Sequence, residues 1–270
     1  MKTIIFFISF FFYLVPEVVS QSGEIIVFKT FEQDVISLPT STENSISFSQ
    51  DGLIVFLTRT DDWSKQSGYI GVKREGKFGK LEPISTLNSI YNGALSPDGT
   101  KIVYSIKKGS REEIWLIRKS NNEWINPISL TKSTGIEGGY FNWRTNNDIY
   151  FQLAKNNGDI ARATLEDDKF SLLDTLSVLN TSATEFSPYI DKNQRFIIFT
   201  RYLVGDISNQ GFFISYNQGD QKSHKWTAPK KLTMLPYGWG AYILEDLGLF
   251  LFSDGENIKH CPIEQLRLQK

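Results

Sequence analysis

The 270-residue sequence has few of the residues that build disulfides or metal sites. Its single cysteine, Cys261, excludes an internal disulfide, so the fold must depend on its own hydrophobic core. The two histidines, His224 and His260, lie far apart, so a zinc site would depend on carboxylates, and no metal or cofactor is predicted. The formal net charge is −1 and no basic stripe is present, so nucleic acid is not an expected partner.

An apolar run occurs at the N-terminus. Lys2 precedes the apolar stretch 4–15, and Val18-Val19-Ser20 supplies small residues for a cleavage site. The run is short for a bilayer span and has no stop-transfer flank, which predicts a signal peptide over residues 1–20 and a single mature domain over 21–270. No cysteine lies directly after the run, and Cys261 is far from it, so a lipid anchor is not expected. We therefore expect a secreted or periplasmic protein without a membrane span.

The remaining sequence is repetitive. A short β-rich segment that ends in an aromatic residue recurs five times, about 48 residues apart. The five aromatics are Phe56, Tyr104, Phe151, Phe199 and Phe252. A second marker with nearly the same spacing comprises Phe78, Trp124, Phe170 and Trp226. Two markers that share one period indicate tandem copies of one structural unit.

Each unit is predicted to contain four strands. In the second copy they span 93–95, 101–106, 113–118 and 124–130. Ser96-Pro97-Asp98-Gly99 separates the first two strands: proline presets φ, aspartate caps the local backbone and glycine tolerates positive φ, as in a hairpin turn. Four strands in a repeat of this length are typical of the blades of an all-β propeller.

These motifs also resemble a known class of propeller. The Ser-Pro-Asp-Gly turn at 96–99, the strand after it and Trp124 resemble the WD-repeat-like blades of TolB-type propellers. Segment 76–83, leading to 87–89, is similar to blades of secreted proteins of Bacteroidetes. The resemblance covers residues 43–263. It implies the fold but little about function, because such propellers include binding modules and peptidase gating domains.

Four complete copies and a short last unit predict five blades. We expect the N-terminal segment 24–42 to complete the last blade and pair otherwise exposed edges, with 34–38 as the outer strand. Segment 25–28 is a further strand candidate, which competes with 257–262 for the third position. Six blades, the number in TolB-type proteins, would require an inner strand pair that the sequence does not contain.

Ligands of propellers bind at the face where connections between second and third strands converge. Two of these connections are predicted to be long, at 58–68 and 200–211, and long loops on a rigid scaffold commonly carry function. The predicted ligand contacts in them are Arg59, Asp61, Asp62, Trp63, Arg201, Tyr202 and Asp206. The alternative is that both loops are solvated insertions, with Arg59 and Asp61 forming local ion pairs.

The starts of the predicted inner strands carry a second set of polar and aromatic residues. They are Glu43, Asn44, Tyr91, Asn92, Glu137, Glu185, Tyr237 and Trp239, of which Glu137, Glu185, Tyr237 and Trp239 are further predicted ligand contacts. The three glutamates resemble the acidic groups around the axis of five-bladed glycosidases. Alternatively, polar residues at these positions bond the backbone of a neighbouring blade. The two aromatics could stack on a sugar or close the channel.

The sequence thus predicts a non-catalytic binding module for a protein or carbohydrate partner. The alternative is a glycan-active hydrolase. That reading requires two of the glutamates to converge on an open pocket, about 5–5.5 Å apart for a retaining mechanism or about 6.5–9.5 Å apart for an inverting one.

Overall fold

The five predicted blades are confirmed. The computed structural model describes residues 26–60, 66–219 and 225–269, and in them five antiparallel sheets form one five-bladed β-propeller. The predicted signal peptide, residues 61–65 and His224 lie outside the described residues. Within the described residues, no helix is long and apolar enough to cross a membrane.

The strands follow the chain from blade to blade, after a first short strand β1 (Lys29–Thr30). Blade 1 contains β2 (Thr42–Phe48), β3 (Ile54–Thr60), β4 (Gln66–Arg74) and two short outer strands, β5 (Lys77–Phe78) and β6 (Glu82–Pro83). Blade 2 contains β7 (Asn92–Leu95), β8 (Lys101–Lys108), β9 (Arg111–Ser120) and β10 (Glu123–Ser129). Blade 3 contains β11 (Gly138–Thr145), β12 (Asp148–Leu153), β13 (Asp159–Glu166) and β14 (Lys169–Thr175).

Blade 4 contains β15 (Thr184–Ile190), β16 (Phe196–Tyr202), β17 (Gly211–Tyr216) and β18 (Lys230–Lys231). Blade 5 contains β19 (Trp239–Leu244), β20 (Leu249–Ser253), β21 (Ile258–Pro262) and β1. A short helix, α1 (Leu130–Thr134), joins blades 2 and 3. The short 3-10 helices are Ser85–Leu87, Ile207–Asn209, Glu245–Leu247 and Ile263–Leu266.

This topology gives the ring two different faces. The loop face carries the connections between second and third strands and the starts of the inner strands. The turn face carries the turns between first and second strands, including the Ser-Pro-Asp-Gly turn of blade 2. The turn prediction agrees with the backbone, since Gly99 has a φ of 69° and its amide donates to the Ser96 carbonyl at 2.9 Å.

Neighbouring blades bury both surfaces of the second strands, which explains their nearly continuous apolar sequence. In blade 3, Ile149 and Phe151 pack in a cluster with Val103 of blade 2. Tyr150 lies between them in sequence and packs on the opposite side with Phe199 of blade 4. Alternate residues of one strand therefore hold two neighbouring blades together.

The N-terminal segment closes the ring as predicted, but with a different strand. β1 pairs with β21 as the outermost strand of blade 5, in the register Lys29 to His260. The prediction that 34–38 forms the outer strand is wrong. This segment folds as a turn, with buried Ile36 in the core and the Ser37 hydroxyl donating to the Ile258 carbonyl at 3.4 Å. The third strand of blade 5, β21, comes from the C-terminal part of the chain.

Irregularities in three inner strands close the central channel. Tyr140, Ser187 and Gly240 all have positive φ, and each lies where the pairing of the inner strand shifts register. A bulge of this kind redirects a side chain out of the regular alternation. These residues line a void of only about 20 Å³ on the axis. The space on the axis is therefore narrow at this level, between the loop-face mouth and the turn-face mouth of the channel.

Candidate functional site

The structure places Arg59 inside blade 1, in an ion pair with Glu43. β3 extends to Thr60, so Arg59 lies opposite Glu43 in the ladder and not in the loop that was predicted from residue 58. Arg59 Nε donates to Glu43 Oε1 at 3.0 Å, and Arg59 Nη2 donates to the Ile36 carbonyl at 2.8 Å. Both side chains are buried, and burial raises the pKa of Glu43 against the lowering by Ser41 and Arg59.

Blade 4 repeats this arrangement, because β16 extends to Tyr202. Arg201 Nε donates to Glu185 Oε1 at 2.7 Å, and Arg201 Nη2 donates to the Leu179 carbonyl at 3.1 Å. Thr181 Oγ1 also donates to Glu185 at 2.6 Å. In both blades the pair ties the first two strands to the segment that enters the blade. We call each pair a latch.

The third predicted acidic residue, Glu137, lies next to blade 2. Arg111 Nε donates to Glu137 Oε1 at 2.6 Å, and the side chain of Glu137 keeps 26% of its surface exposed. Each of the three glutamates therefore bonds an arginine of its own, two inside the latches and one at the surface.

Aromatic side chains surround the loop-face mouth of the channel. The Tyr91 and Tyr140 hydroxyl oxygens lie 2.7 Å apart, and the Tyr140 ring lies 5.0 Å from that of Phe186. Burial, with a smaller effect of Tyr91, raises the pKa of Tyr140 well above its ordinary value. Phe186 is itself buried, so these rings close the mouth toward the channel interior.

The predicted residues Tyr202, Tyr237 and Trp239 continue this arrangement. The ring centroids of Tyr202 and Tyr237 lie 6.4 Å apart, as do those of Tyr237 and Trp239. Trp239 Nε1 donates to Asn44 Oδ1 at 2.7 Å, which links blade 5 to blade 1. We call the whole set the aromatic rim: Tyr91, Tyr140, Phe186, Tyr202, Tyr237 and Trp239.

Sequence reasoning missed a carboxylate beside the aromatic rim. Glu112 is half-buried and accepts hydrogen bonds from Ser105 Oγ at 2.8 Å and Asn92 Nδ2 at 3.3 Å. Burial raises its pKa, against the lowering by these partners and by Lys107. A Cβ on Gly139 would collide with the Glu112 carboxylate, so the glycine leaves room for this carboxylate in its observed position. The glycine pair before Tyr140 was the available signal in the sequence.

Asn92 also has a structural role. Its Oδ1 accepts a hydrogen bond from the Tyr140 amide of the next blade at 2.6 Å. Asn142 Oδ1 accepts in the same way from the Ile190 amide of blade 4 at 3.1 Å. Polar side chains of the inner strands thus bond the neighbouring backbone, which was one of the two interpretations that the sequence left open.

The long loop of blade 4, residues 203–210, is ordered by its own aspartate. Asp206 accepts hydrogen bonds from Ser208 Oγ at 2.5 Å and from Asn209 Nδ2 at 2.6 Å, and these bonds lower its pKa. Gln210 Nε2 donates to the Leu203 carbonyl at 2.6 Å across the base of the loop. The corresponding loop of blade 1 carries Asp61, Asp62 and Trp63, which lie outside the described residues.

The loop of blade 4 presents apolar side chains to solvent. Val204 and Ile207 are 81% and 77% exposed, the two highest values among the large hydrophobic residues that the structure describes. Tyr202, at the end of β16 just before this loop, and Tyr237, whose ring contacts that of Tyr202, are 40% and 42% exposed. We call these four residues the blade 4 patch. Within the described residues, no group of three or more histidine, cysteine, aspartate or glutamate side chains could hold a metal ion.

Comparison with known proteins supports the fold. No protein-family profile matches this chain, and no curated protein matches it in sequence. Among solved structures, an endo-arabinase from Bacteroides thetaiotaomicron is similar with a TM-score of 0.60 and 13% identity, over 84% of this chain and 96% of that one. A protein of unknown function from Dyadobacter fermentans gives a TM-score of 0.54 and 11% identity, over 86% and 82%.

TolB from Acinetobacter baumannii is also among the similar structures. Its TM-score is 0.49 at 14% identity, over 82% of this chain and 54% of the TolB chain. This chain therefore spans about half the length of that TolB structure. At such identities the similarity shows the propeller fold alone.

Proposed function

We propose that this propeller is a non-catalytic binding module that recognises a protein partner through the blade 4 patch. The observation that carries the proposal is the exposure of Val204 and Ile207 on a loop in which Asp206 accepts hydrogen bonds from Ser208 and Asn209. Exposed apolar clusters with tyrosines beside them are typical of protein-binding surfaces. An ordered loop also loses less conformational entropy when it binds. The expected partner presents an apolar segment of its own.

The positions of the glutamates favour binding over glycan hydrolysis. Glu43 and Glu185 are buried in the latches, where each carboxylate already accepts a bond from an arginine. A glycosidase needs a pair of carboxyl groups on opposite sides of the scissile bond. Similarity to an endo-arabinase keeps hydrolysis as the alternative, but the residues that differ between enzymes of one fold decide the chemistry.

We also propose that the protein acts outside the cytoplasm. The support is the N-terminal sequence, with Lys2, the apolar run and the small residues that end at Ser20. Mass spectrometry of the protein from its native host tests this directly. A mature chain that begins at Gln21 is expected, and an intact Met1 would contradict it.

The binding proposal is tested with variants of the exposed surface. The mature protein is used to capture partners from the native envelope and medium, and the affinity of each captured protein is then measured. Val204→Ser/Ile207→Ser is expected to lower the affinity for the true partner roughly tenfold or more, since two apolar contacts are lost. Leu53→Ser/Leu247→Ser is the matched control, because its residues are also about half exposed or more but lie at the turn face.

A partner that binds both double variants with the affinity of the unmodified protein would contradict the proposal. A partner whose binding is lost only in the control would place the interface on the turn face. Replacing loop 203–210 with Gly-Ser, as in the short blade 2 connection Gly109-Ser110, should abolish binding and leave thermal stability nearly unchanged.

A further inference from the structure

The turn-face mouth of the channel is a second cavity, which the proposed function does not use. Its volume is about 420 Å³, within the range of small-molecule sites in proteins. Beyond it, the bulged inner strands line a void of only about 20 Å³. Four of its exposed lining residues, Gln50, Thr145, Lys192 and Asp246, come from the turns of four different blades.

The deep part of this cavity is lined by aromatic rings. Tyr189 and Tyr242 lie with ring centroids 5.7 Å apart, and Phe48 lies 5.3 Å from Tyr242. Trp143 completes this wall, held by a hydrogen bond from its Nε1 to the Ala94 carbonyl at 3.1 Å. These rings belong to the packed core, so their positions are fixed before any ligand binds.

The rim of the cavity carries both signs of charge in equal number. Lys192 is paired with Glu245, and Arg144 is paired with the buried Asp148. The carboxylate of Asp148 is shared, since Arg162 Nε also donates to it at 2.8 Å. The four charged residues that line the cavity are Arg144, Lys192, Glu245 and Asp246. A ligand with a net charge would therefore meet repulsion on part of the rim.

Three of these charged residues lie in turns whose sequence departs from the Ser-x-Asp-Gly pattern of blades 1 and 2. In blades 1 and 2 the turn aspartates, Asp51 and Asp98, accept bonds from Ser49 and Ser96 at 2.6 Å and serve the turn itself. The turns of blades 3 and 5 have lost this serine and aspartate pair and carry Arg144, Glu245 and Asp246 at the cavity instead. Arg144 and Glu245 form ion pairs at the rim, and Asp246 is exposed there.

We propose that this cavity binds an uncharged carbohydrate, of about the size of a disaccharide. Phe48, Trp143 and Tyr189 are buried, while Tyr242 is partly exposed and offers an apolar contact for a sugar ring, as aromatic side chains do in many small-molecule sites. Carboxylates on the rim accept hydrogen bonds from hydroxyl groups, while arginine and lysine donate to them. A neutral polyhydroxylated ligand uses both kinds of group at once. This site is independent of the blade 4 patch.

Saturation-transfer NMR of the mature protein with cellobiose, maltose and lactose tests the proposal, with glucuronic acid and glucosamine as charged comparisons. At least one neutral disaccharide is expected to receive saturation from the protein. Thr145→Trp, which fills the mouth of the cavity, should abolish the signal. Asp246→Asn should weaken binding roughly tenfold, because one charged acceptor is lost. Both positions are exposed, so the variants should fold.

Ser120→Trp and Asp174→Asn are the matched controls, since both residues are exposed on outer parts of blades. They should bind the sugar as the unmodified protein does, and so should Val204→Ser/Ile207→Ser. The proposal is overturned if none of the three neutral disaccharides binds. It is also overturned if binding survives Thr145→Trp, or if either charged sugar binds more tightly than the neutral ones.

Discussion

The latch of blade 4 leads to a prediction about stability. Arg201→Met removes the guanidinium that bonds Glu185, a fully buried carboxylate, and the Leu179 carbonyl. Removing one partner of a buried ion pair commonly costs about 3–5 kcal/mol, because an unpaired charge stays in the interior. Two bonds from Thr181 to Glu185 remain, so we expect a loss near the lower limit, about 3 kcal/mol. Urea unfolding of the mature protein measures it.

The double variant Glu185→Gln/Arg201→Met is the decisive comparison. It removes both charges, so the desolvation of an unpaired carboxylate is avoided and the loss should fall to about 1–2 kcal/mol. A double variant as unstable as Arg201→Met would refute the reasoning, since the cost would then come from lost packing. Equal stability of all three proteins would show that this latch does not stabilise the blade.

Three further predictions concern closure, a turn and a titrating group. Deletion of 24–42 should lower the melting temperature of the whole domain, because it removes β1; an unchanged melting temperature would make the segment a mere tail. Gly99→Val should lower the free energy of unfolding in urea by about 1 kcal/mol or more, because Gly99 has positive φ and a Cβ added there would lie 2.8 Å from Ile54 Cδ1. Asp61→Ala should lower it less, and equal stabilities of the two variants would refute this. Burial raises the pKa of Glu112 in the folded protein above 4.5, the ordinary value that it has in the unfolded chain. The protein therefore loses stability as the pH rises from below 4.5 through the raised pKa of the folded state. The free energy of unfolding of Glu112→Gln, relative to that of the unmodified protein, should therefore be higher at pH 8 than at pH 4. The same difference in free energy at both pH values would contradict this.

The repeat allowed the fold to be predicted because propeller blades repeat their core. The aromatics Phe56 to Phe252 lie in the second strands, and Ser96 to Gly99 forms the predicted turn. Closure by the N-terminus was predictable because the last unit lacked a strand. Its outer strand was misplaced because β1 has only two residues, and a segment that short has no detectable alternation of apolar and polar residues.

The site was less predictable than the fold. The latches were missed because β3 extends to Thr60 and β16 to Tyr202, past positions 58 and 200 where the loops were predicted to begin, which moves Arg59 and Arg201 from loops into ladders. Tyr140 was missed because a bulge turns it toward the axis, and a bulge leaves no regular pattern in the sequence. Glu112 lies on a third strand, and only the close approach of Gly139 reveals its position.

Side-chain oxidation footprinting of the protein with its captured partner tests the central claim most directly. The partner is expected to protect Tyr202, Val204, Ile207 and Tyr237 from hydroxyl radicals, while Leu53 and Leu247 on the turn face react as in the free protein. Protection of Leu53 and Leu247, with the blade 4 patch still reactive, would contradict it.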